Sequence, residues 1–232
     1  MKKIAIIPAR SGSKGLKDKN IKKLNGIPLM AYSIKAAKNS NLFDEIMVST
    51  DSEDYRQIAR EFGAEVPFLR SMENSSDGSS SWDAVKEVLD YYSNQGSNFD
   101  IIFLLQPTSP LRDEFDILEA YKLYERKAAK FVVSVSEADV PIQWVNKINS
   151  DSKIENFIED KFYNKPRQEL EKYYRINGGI YIIDREFLFK EEYYYTKDSY
   201  AYIMDRLKSV DIDDKIDFML AEAIIRAKKD VI

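Results

Sequence analysis

The sequence predicts an α/β fold, in which helices cover both faces of a mostly parallel sheet as a three-layer α/β/α sandwich. Short apolar runs without polar alternation, typical of strands that are buried on both faces, recur along the chain. Segments with helical periodicity separate these runs, and this order is typical of α/β folds. A chain of 232 residues with 44% hydrophobic content suits a single domain over residues 1–232.

Five apolar runs predict the strands of this sheet, and all five have the pattern of parallel strands. They are "KIAII" at 3–7, "EIMVST" at 45–50, "DIIFLLQ" at 100–106, "FVVSVS" at 131–136 and "GIYII" at 179–183. Helical periodicity predicts helices between and after them, within residues 28–40, 52–63, 81–96, 113–127 and 216–229. The alternation of strand and helix therefore continues along most of the chain.

The alternation stops between about residues 140 and 174. This segment is polar, aromatic and poor in long apolar runs, and we expect a strand-rich arm that leaves the main sheet. Such an arm can serve as a lid or as a subunit contact. Trp144, expected to be exposed there, favours the subunit contact, so the sequence predicts a small protruding dimerisation arm and a homodimer.

The composition excludes several classes of chemistry. The sequence has no cysteine and no histidine, which removes thiolate nucleophiles, imidazole bases and the metal sites built from either side chain. A net charge of −4 gives no overall field that favours nucleic acid. The first apolar run is too short for a signal peptide, and no apolar stretch approaches the roughly 18 residues of a membrane span. We therefore expect a cytoplasmic protein without nucleic-acid or membrane partners.

The loop after the first strand, "ARSGSKGLKDKN" at 9–20, has the composition of an anion site. Two of the eight glycines of the chain, Gly12 and Gly15, lie in this loop, and glycine lets backbone N–H groups approach a ligand closely. Ligands of open α/β sheets bind at the carboxyl ends of strands, where this loop begins. The loop therefore predicts a polyanion such as a nucleoside triphosphate, held by its hydroxyl and cationic side chains: Arg10, Ser11, Ser13, Lys14, Lys17 and Lys19.

A solvated basic turn is the alternative interpretation of this loop. The loop matches neither the Walker sequence nor the dinucleotide Gly-x-Gly-x-x-Gly pattern, which argues against a P-loop ATPase and a dehydrogenase. The anion-site interpretation depends on the whole cluster and on its place after the first strand.

Two other motifs place polar side chains at strand ends or in extended segments. In "LLQPTSPLR" at 104–112, Pro107 and Pro110 stop the strand and hold Gln106 at the edge of the sheet. In "SVDIDDKID" at 209–217, extended alternation puts Asp211 and Asp213 on one side. Two carboxylates so close repel unless a cation lies beside them, which favours Mg²⁺ with oxygen ligands. An acidic N-terminal cap for the last helix is the alternative.

Taken together, five motifs resemble those of the acylneuraminate cytidylyltransferases, the CMP-sialic acid synthetases. The motifs are "IIPARSGSKGLKDKNI", "VSTDSE", "LLQPTSPLR", "NGGIYI" and "SVDIDD", and they match in order and spacing along nearly the whole chain. The resemblance implies a Rossmann-like nucleotide-diphospho-sugar transferase sheet. It also implies magnesium-dependent transfer of CMP from CTP to the anomeric hydroxyl of a nonulosonic acid, with release of pyrophosphate.

The resemblance further implies which residues form the site. The nucleotide contacts would be Arg10, Ser11, Gly12, Ser13, Lys14, Asn20, Arg70, Ser79 and Ser81. The sugar acid, whose carboxylate matches a guanidinium fork, would contact Gln106, Arg167, Arg175, Asn177, Tyr181, Tyr193 and Tyr194. Magnesium is assigned to Asp211 and Asp213, while Asp214 and Asp217 belong to the final helix.

The implied catalytic residues are Arg10, Lys19 and Asp211. Arg10 and Lys19, with Lys14, would offset the charge that develops on the departing pyrophosphate. Because histidine is absent, the base that takes the hydroxyl proton is either an aspartate near the metal or a metal-bound hydroxide, and Asp211 is our hypothesis.

Two other functions fit the same motifs less well. One is a sugar-1-phosphate nucleotidyltransferase of related fold, and the other is a non-catalytic regulator that binds nucleotides. The sequence leaves the acceptor open among N-acetylneuraminic, legionaminic, pseudaminic and other related acids, because these differ only at ring substituents that a few pocket side chains would read.

Overall fold

The structure, a computed structural model, describes residues 1–12, 15–76 and 78–230, and only the backbone of residues 228–230. Its main sheet has six strands in the spatial order β4-β1-β5-β7-β6-β8, and a two-stranded hairpin, β2–β3, lies apart from it. The strands are β1 (Lys3–Pro8), β2 (Lys23–Leu24), β3 (Ile27–Pro28), β4 (Glu45–Ser49), β5 (Ile101–Leu104), β6 (Phe131–Glu137), β7 (Tyr174–Asp184) and β8 (Ser199–Ile203).

The main sheet is mostly parallel, as the sequence predicts. β1 pairs in parallel with β4 and β5, β6 pairs in parallel with β8, and β7 runs antiparallel to both of its neighbours. The parallel direction predicted for the run at 179–183 is therefore wrong. An apolar run reports burial on both faces of a sheet, not direction. Strand β8 was not predicted. It lies at the edge of the sheet, and its sequence, "SYAYI", lacks a continuous apolar run.

All five predicted helices are confirmed, and one short helix, α5, was not predicted. The helices are α1 (Leu29–Ser40), α2 (Glu53–Glu61), α3 (Ser81–Asn94), α4 (Glu114–Arg126), α5 (Arg185–Lys190) and α6 (Lys215–Asp230). Capping boxes begin α3, with Ser80 and Asp83, and α4, with Asp113 and Asp116. Over the described residues, none of these helices is long and apolar enough to cross a bilayer.

Hydrophobic side chains pack on both faces of the sheet, which confirms the three-layer sandwich. Ala5 and Ile7 of β1 face a cluster that includes Ile34 of α1. Ile4 and Ile6 face the opposite cluster, which includes Val88 of α3. A third, smaller cluster packs α6 against the β2–β3 hairpin and α1, with Leu24, Leu29, Ile212, Phe218 and Ala221 at its centre. This third cluster fixes the segment that carries Asp211 and Asp213.

The predicted arm leaves the sheet between β6 and β7, but it is not strand-rich. Residues 138–173 are all described, and they contain three 3₁₀ turns, Ile142–Trp144, Asp160–Phe162 and Arg167–Glu169, and no strand. Most of these residues are exposed. The sequence indicated only that the main sheet is interrupted, and the low apolar content gives the arm no buried face on which strands could pack.

Candidate active site

A polar cavity of about 470 Å³ opens at the carboxyl ends of β1 and β5. Ligands of open α/β sheets bind at this edge. Residues from four separate segments line the cavity: Pro8, Arg10, Gly15, Lys19, Asn20, Arg70, Asn74, Ser76, Ser79, Ser80, Ser81, Gln106, Pro107, Thr108, Asp211 and Asp213. The first loop, the serine-rich loop, the proline turn and the acidic segment therefore meet in one place.

A bulge in β7 shapes one wall of this region. Tyr181 pairs with Val133 and Ile176 pairs with Val135, so residues 177–180 bulge opposite the single residue Ser134. The Ser134 hydroxyl donates to Asn177 Oδ1 at 2.6 Å and accepts from the Ile180 N–H at 2.7 Å. Bulges of this kind re-aim a strand next to a functional site.

The bulge brings the backbone of Gly178 against the side chain of Gln106. Gly178 has a φ of +71°, and a Cβ added there would lie 2.5 Å from Gln106 Oε1 and 3.8 Å from Asp211 Oδ2. Glycine removes that collision and tolerates the left-handed backbone. The Gln106 carboxamide and the Asp211 carboxylate therefore both lie close to Gly178.

The first loop contacts the acidic segment directly. Lys19 Nζ donates to the Ile212 carbonyl at 2.8 Å and to Asp213 Oδ1 at 3.1 Å. A Cβ on Gly15 would collide with the Asp213 carbonyl, so this glycine is needed for the close approach of the two segments. The structure thus brings cations and aspartates to one cavity, as the sequence predicts.

Two arginines extend the cationic side of the cavity. Arg10 Nη1 donates to the Ser75 carbonyl at 3.1 Å, which joins the first loop to the serine-rich loop. Arg70 is only 8% exposed, and its Nε donates to Ser49 Oγ at 2.9 Å. Burial lowers the pKa of Arg70 to about 10, which still leaves the guanidinium charged at neutral pH.

Asp211 is the less exposed of the two aspartates that line the cavity. Its Oδ1 is buried and has no hydrogen-bond partner among the described residues. Burial is the main cause that raises the pKa of Asp211, and the charge of Asp213 adds to it, while the Thr108 hydroxyl, Lys19 and Arg175 oppose it. Asp213, in contrast, has a side chain that is 80% exposed. An uncompensated buried oxygen beside a second carboxylate favours a bound cation.

The described residues fit a magnesium ion only if the substrate supplies further ligands. No group of three or more carboxylates that could hold a metal ion occurs among them. Asp211 and Asp213 offer oxygens, and the buried Oδ1 of Asp211 needs a positive partner. Mg²⁺ in nucleotide sites is typically held by one or two carboxylates together with phosphate oxygens. The donor set therefore fits the ion in the presence of a nucleotide.

Asp214 and Asp217 cap α6, as the sequence analysis assigned them. Asp214 Oδ1 accepts from the N–H groups of Ile216 at 2.7 Å and Asp217 at 3.1 Å. Asp217 Oδ2 accepts from the N–H groups of Asp213 at 2.9 Å and Asp214 at 3.1 Å. These reciprocal bonds satisfy backbone donors at the helix start, so only the two preceding aspartates face the cavity.

The remaining predicted nucleotide residues divide into three groups. Asn20, Ser79 and Ser81 line the cavity. Ser11 and Gly12 are not among the lining residues, and Ser11 donates its N–H and hydroxyl to the Asp51 carboxylate at 2.7 and 2.9 Å. Ser13 and Lys14 lie outside the described residues. Ser11 therefore fixes the first loop to Asp51, and its contact with the nucleotide stays a prediction.

Gln106 is the one predicted sugar-binding residue that lines the cavity. Arg175 is not among the lining residues; its Nη2 donates to the Ser209 carbonyl at 3.3 Å, and its positive charge lowers the pKa of Asp211. Tyr181 packs edge-on against Trp82 at 5.8 Å, and burial, with the charges of Tyr195 and Asp211, raises its pKa to about 12. Contacts of Arg175 and Tyr181 with a sugar stay predictions.

The other predicted sugar-binding residues are used or placed elsewhere. Asn177 is buried, and its two amide atoms bond Ser134, Gly179 and Ser209. Tyr194 packs on Trp82 at 5.2 Å and donates its hydroxyl to the Leu188 carbonyl. Tyr193 is 65% exposed outside the cavity lining. Arg167 lies on the arm, where it lines a separate cavity of about 330 Å³. In this structure these four side chains do not line the main cavity.

Sequence reasoning missed Arg112 and Asp51. Arg112 ends the "LLQPTSPLR" motif, yet it is 2% exposed and bonds the Gly179 carbonyl at 2.6 Å. Asp51 lies in "VSTDSE" and fixes Ser11. Asp51 was recognisable as a polar residue directly after a strand, whereas nothing in the sequence distinguishes a buried arginine from a surface one.

A polar cavity with arginines and aspartates at the carboxyl ends of parallel strands defines an α/β protein of the nucleotide-binding class. Comparison with known proteins identifies the family. A family model described as cytidylyltransferase matches residues 4–231, and the chain belongs to that family. The resemblance drawn from the motifs is confirmed.

Curated relatives name the same chemistry with different acceptors. The chain is 41% identical over 226 residues to N-acylneuraminate cytidylyltransferase of Escherichia coli O18:K1:H7 (strain RS218 / NMEC), covering 97% of this chain and 52% of the relative. It is 33% identical to pseudaminic acid cytidylyltransferase of Campylobacter jejuni subsp. jejuni serotype O:23/36 (strain 81-176), covering 97% of both. The chain thus spans about half the length of the first relative and nearly all of the second.

A solved structure supports the fold. The chain superposes on CMP:2-keto-3-deoxy-manno-octonic acid synthetase complexed with CTP with a TM-score of 0.69, covering 98% of this chain and 100% of that one. The sequence identity is 18%, so this likeness concerns the fold alone. It confirms the predicted α/β fold with a mostly parallel central sheet.

Proposed function

We propose that this protein transfers CMP from CTP to the anomeric hydroxyl of a nonulosonic acid and releases pyrophosphate. The observation that carries the proposal is the single cavity in which Arg10 and Lys19 meet Asp211 and Asp213 beside Gln106. The names of the relatives support CTP as donor and a nonulosonic acid as acceptor.

The cationic side of the cavity would bind the triphosphate. Arg10, Lys19 and Arg70 supply three positive side chains, and Ser79 and Ser81 of the serine-rich loop line the same cavity. Lys14, outside the described residues, stays a predicted phosphate contact. Fixed positive groups of this kind offset the charge that develops on departing pyrophosphate.

Asp211 and Asp213 would hold the magnesium ion. The ion, when bound, supplies charge neutralisation between the two carboxylates and the phosphate oxygens. The chain's own contribution is orientation: Lys19 bonds Asp213 Oδ1 at 3.1 Å, and the Ile212 N–H donates to the Thr108 carbonyl at 2.8 Å. Both contacts keep the acidic segment against the cavity.

The acceptor would lie beside Gln106, Gly178 and Arg175. The anomeric oxygen attacks the α-phosphorus of CTP, an O–P bond forms, and the bond from the α-phosphorus to the bridging oxygen breaks as pyrophosphate leaves. The hydroxyl proton passes to a base, for which Asp211 stays our hypothesis because it lies near Gln106 across Gly178. Catalysis here consists mostly of positioning and charge neutralisation.

We also propose that the protein is a homodimer formed through the arm. Large apolar side chains are exposed there and lie close in sequence: Val140, Ile142, Trp144, Val145 and Ile148. Exposed apolar groups of this kind are typical of interaction surfaces. The cytoplasmic location expected from the sequence stays a prediction.

One assay tests the function. Purified protein is incubated with Mg²⁺, each of the four nucleoside triphosphates and a panel of acceptors, and pyrophosphate is measured. The panel contains N-acetylneuraminic, legionaminic and pseudaminic acids and, separately, sugar 1-phosphates, and CTP binding is measured in parallel by calorimetry. We expect release only with CTP and at least one acid. Release with sugar 1-phosphates instead would establish the related nucleotidyltransferase, and CTP binding without any product would establish a regulator. Either result would overturn the proposal.

A further inference from the structure

We propose that Arg112 is a positioning residue that sets the place of Gln106 and of the β7 bulge for the acceptor. The inference rests on the proposed function, in which Gln106 contacts the sugar acid. Arg112 itself is 2% exposed and is absent from the cavity lining, so it acts through the residues that it holds.

The Arg112 guanidinium joins three elements of the fold. Its Nη1 donates to the carbonyls of Gly179 at 2.6 Å and Gln106 at 3.3 Å, and its Nη2 donates to Ser33 Oγ on α1 at 2.6 Å. The Ser33 hydroxyl in turn donates to the Gln106 carbonyl at 3.3 Å. The end of β5, the bulge of β7 and helix α1 therefore share one planar, fork-shaped donor.

The two carbonyls that Arg112 binds belong to the residues that form the cavity wall. Gln106 lines the cavity directly, and Gly179 follows Gly178, the residue against which the Gln106 side chain packs. A shift of either carbonyl moves the Gln106 carboxamide relative to Asp211. Misplacement by about 1 Å can cost roughly 100-fold in rate at a positioned site.

The surroundings of Arg112 indicate that its role is to orient the cavity wall and not mainly to stabilise the fold. Among the described residues no carboxylate forms an ion pair with it, and its Nε is buried without a hydrogen-bond partner. Burial lowers its pKa to about 10, against the opposing charges of Asp116 and Asp113. A buried charge with an unsatisfied donor is costly to keep. Two of its three hydrogen bonds go to the backbone of the cavity wall, at Gln106 and Gly179, and the third ties that wall to α1.

Kinetics of Arg112→Lys test the proposal, because an ammonium cannot span three acceptors as a guanidinium does. We expect the KM for the sugar acid to rise about 10- to 100-fold, while the KM for CTP stays near its wild-type value. The matched control is Arg185→Lys, whose Nη2 donates to Ser93 Oγ at 2.9 Å away from the cavity; it should change neither constant. Equal changes for both substrates would overturn the proposal.

Hydrogen exchange gives a readout that does not depend on activity. In Arg112→Lys we expect faster amide exchange in residues 104–108 and 176–181 and unchanged exchange in α3. Uniformly faster exchange would indicate a general stability role and contradict the proposal. If the wild-type protein forms no product, the proposed function fails, but this measurement still tests the positioning role.

A second variant covers the case in which Arg112→Lys does not fold. Ser33→Ala removes the acceptor of Nη2 and one donor to the Gln106 carbonyl. We expect a smaller rise in the KM for the sugar acid and faster exchange in residues 104–108. Wild-type values for both would overturn the proposal.

Discussion

Among single residues, Asp211 is partly buried in a way that lowers the free energy of unfolding but favours the binding of a cation. Its Oδ1 is buried without a partner among the described residues, and burial raises its pKa. The folded state therefore disfavours the ionised carboxylate, and stability falls as pH rises through the folded pKa. The same Oδ1, which has no hydrogen-bond partner among the described residues, would bind a cation in the cavity.

We expect Asp211→Asn to abolish most activity and to stabilise the metal-free protein. Removing a ligand and candidate base should lower kcat by about 100-fold or more. The melting temperature without Mg²⁺ should rise by a few degrees at neutral pH, and the gain should vanish below about pH 4, where the wild-type carboxyl is protonated. Near-native turnover at saturating Mg²⁺ would exclude Asp211 as both ligand and base.

Alanine variants of two glycines separate the effect of backbone strain from the effect of a changed cavity shape. Gly178→Ala adds a Cβ against Gln106 Oε1 at a φ of +71°, whereas Gly96→Ala, at a φ of +77°, meets nothing within 4 Å. Both variants should lose about 1–2 kcal/mol of unfolding free energy. Only Gly178→Ala should raise the KM for the sugar acid. Equal kinetics in the two variants would show that the Gln106 position does not matter.

At the scale of elements, the cap of α6 separates the aspartates that face the cavity from those that hold the helix. Asp214→Ala removes two hydrogen bonds at the helix start, and we expect a loss of about 1 kcal/mol in urea unfolding. CTP affinity, measured by calorimetry, should stay near the wild-type value. A large loss of affinity without a loss of stability would place Asp214 in the site.

The elements also show what the sequence could and could not predict. Apolar runs and helical periodicity predicted the strands with both faces buried, and five helices, because burial and period are local properties. The direction of β7, the edge strand β8 and the form of the arm depend on long-range pairing, which local patterns do not encode. The family resemblance predicted that the first loop and the acidic segment share one site, which the contact of Lys19 with Asp213 bears out, whereas nothing in the sequence predicted the burial of Arg112.

For the molecule as a whole, the arm is a long segment that is mostly exposed in the isolated chain. Its apolar side chains have no partner surface among the described residues of one chain, which supports assembly of two copies. Among the described residues, those that line the proposed active-site cavity all lie outside the arm. We therefore expect assembly and nucleotide binding to be separable.

A charge in the arm tests the dimer. We expect Trp144→Glu, at a side chain that is 36% exposed, to convert a dimer to a monomer in sedimentation velocity. The control is Phe115→Glu on α4, at a side chain that is 66% exposed outside the arm, which should leave the assembly unchanged. A monomeric wild-type protein, or a dimer that survives Trp144→Glu, would contradict the arm as the interface.

Cations of the first loop and the two aspartates should bind a nucleoside triphosphate together through one divalent ion. A crystal grown with CTP and Mn²⁺, a metal visible by anomalous scattering, tests it most directly. We expect an anomalous peak within coordination distance of Asp211 and Asp213, with phosphates beside Arg10 and Lys19. CTP bound in the cavity without a peak at these carboxylates, or bound elsewhere, would contradict it.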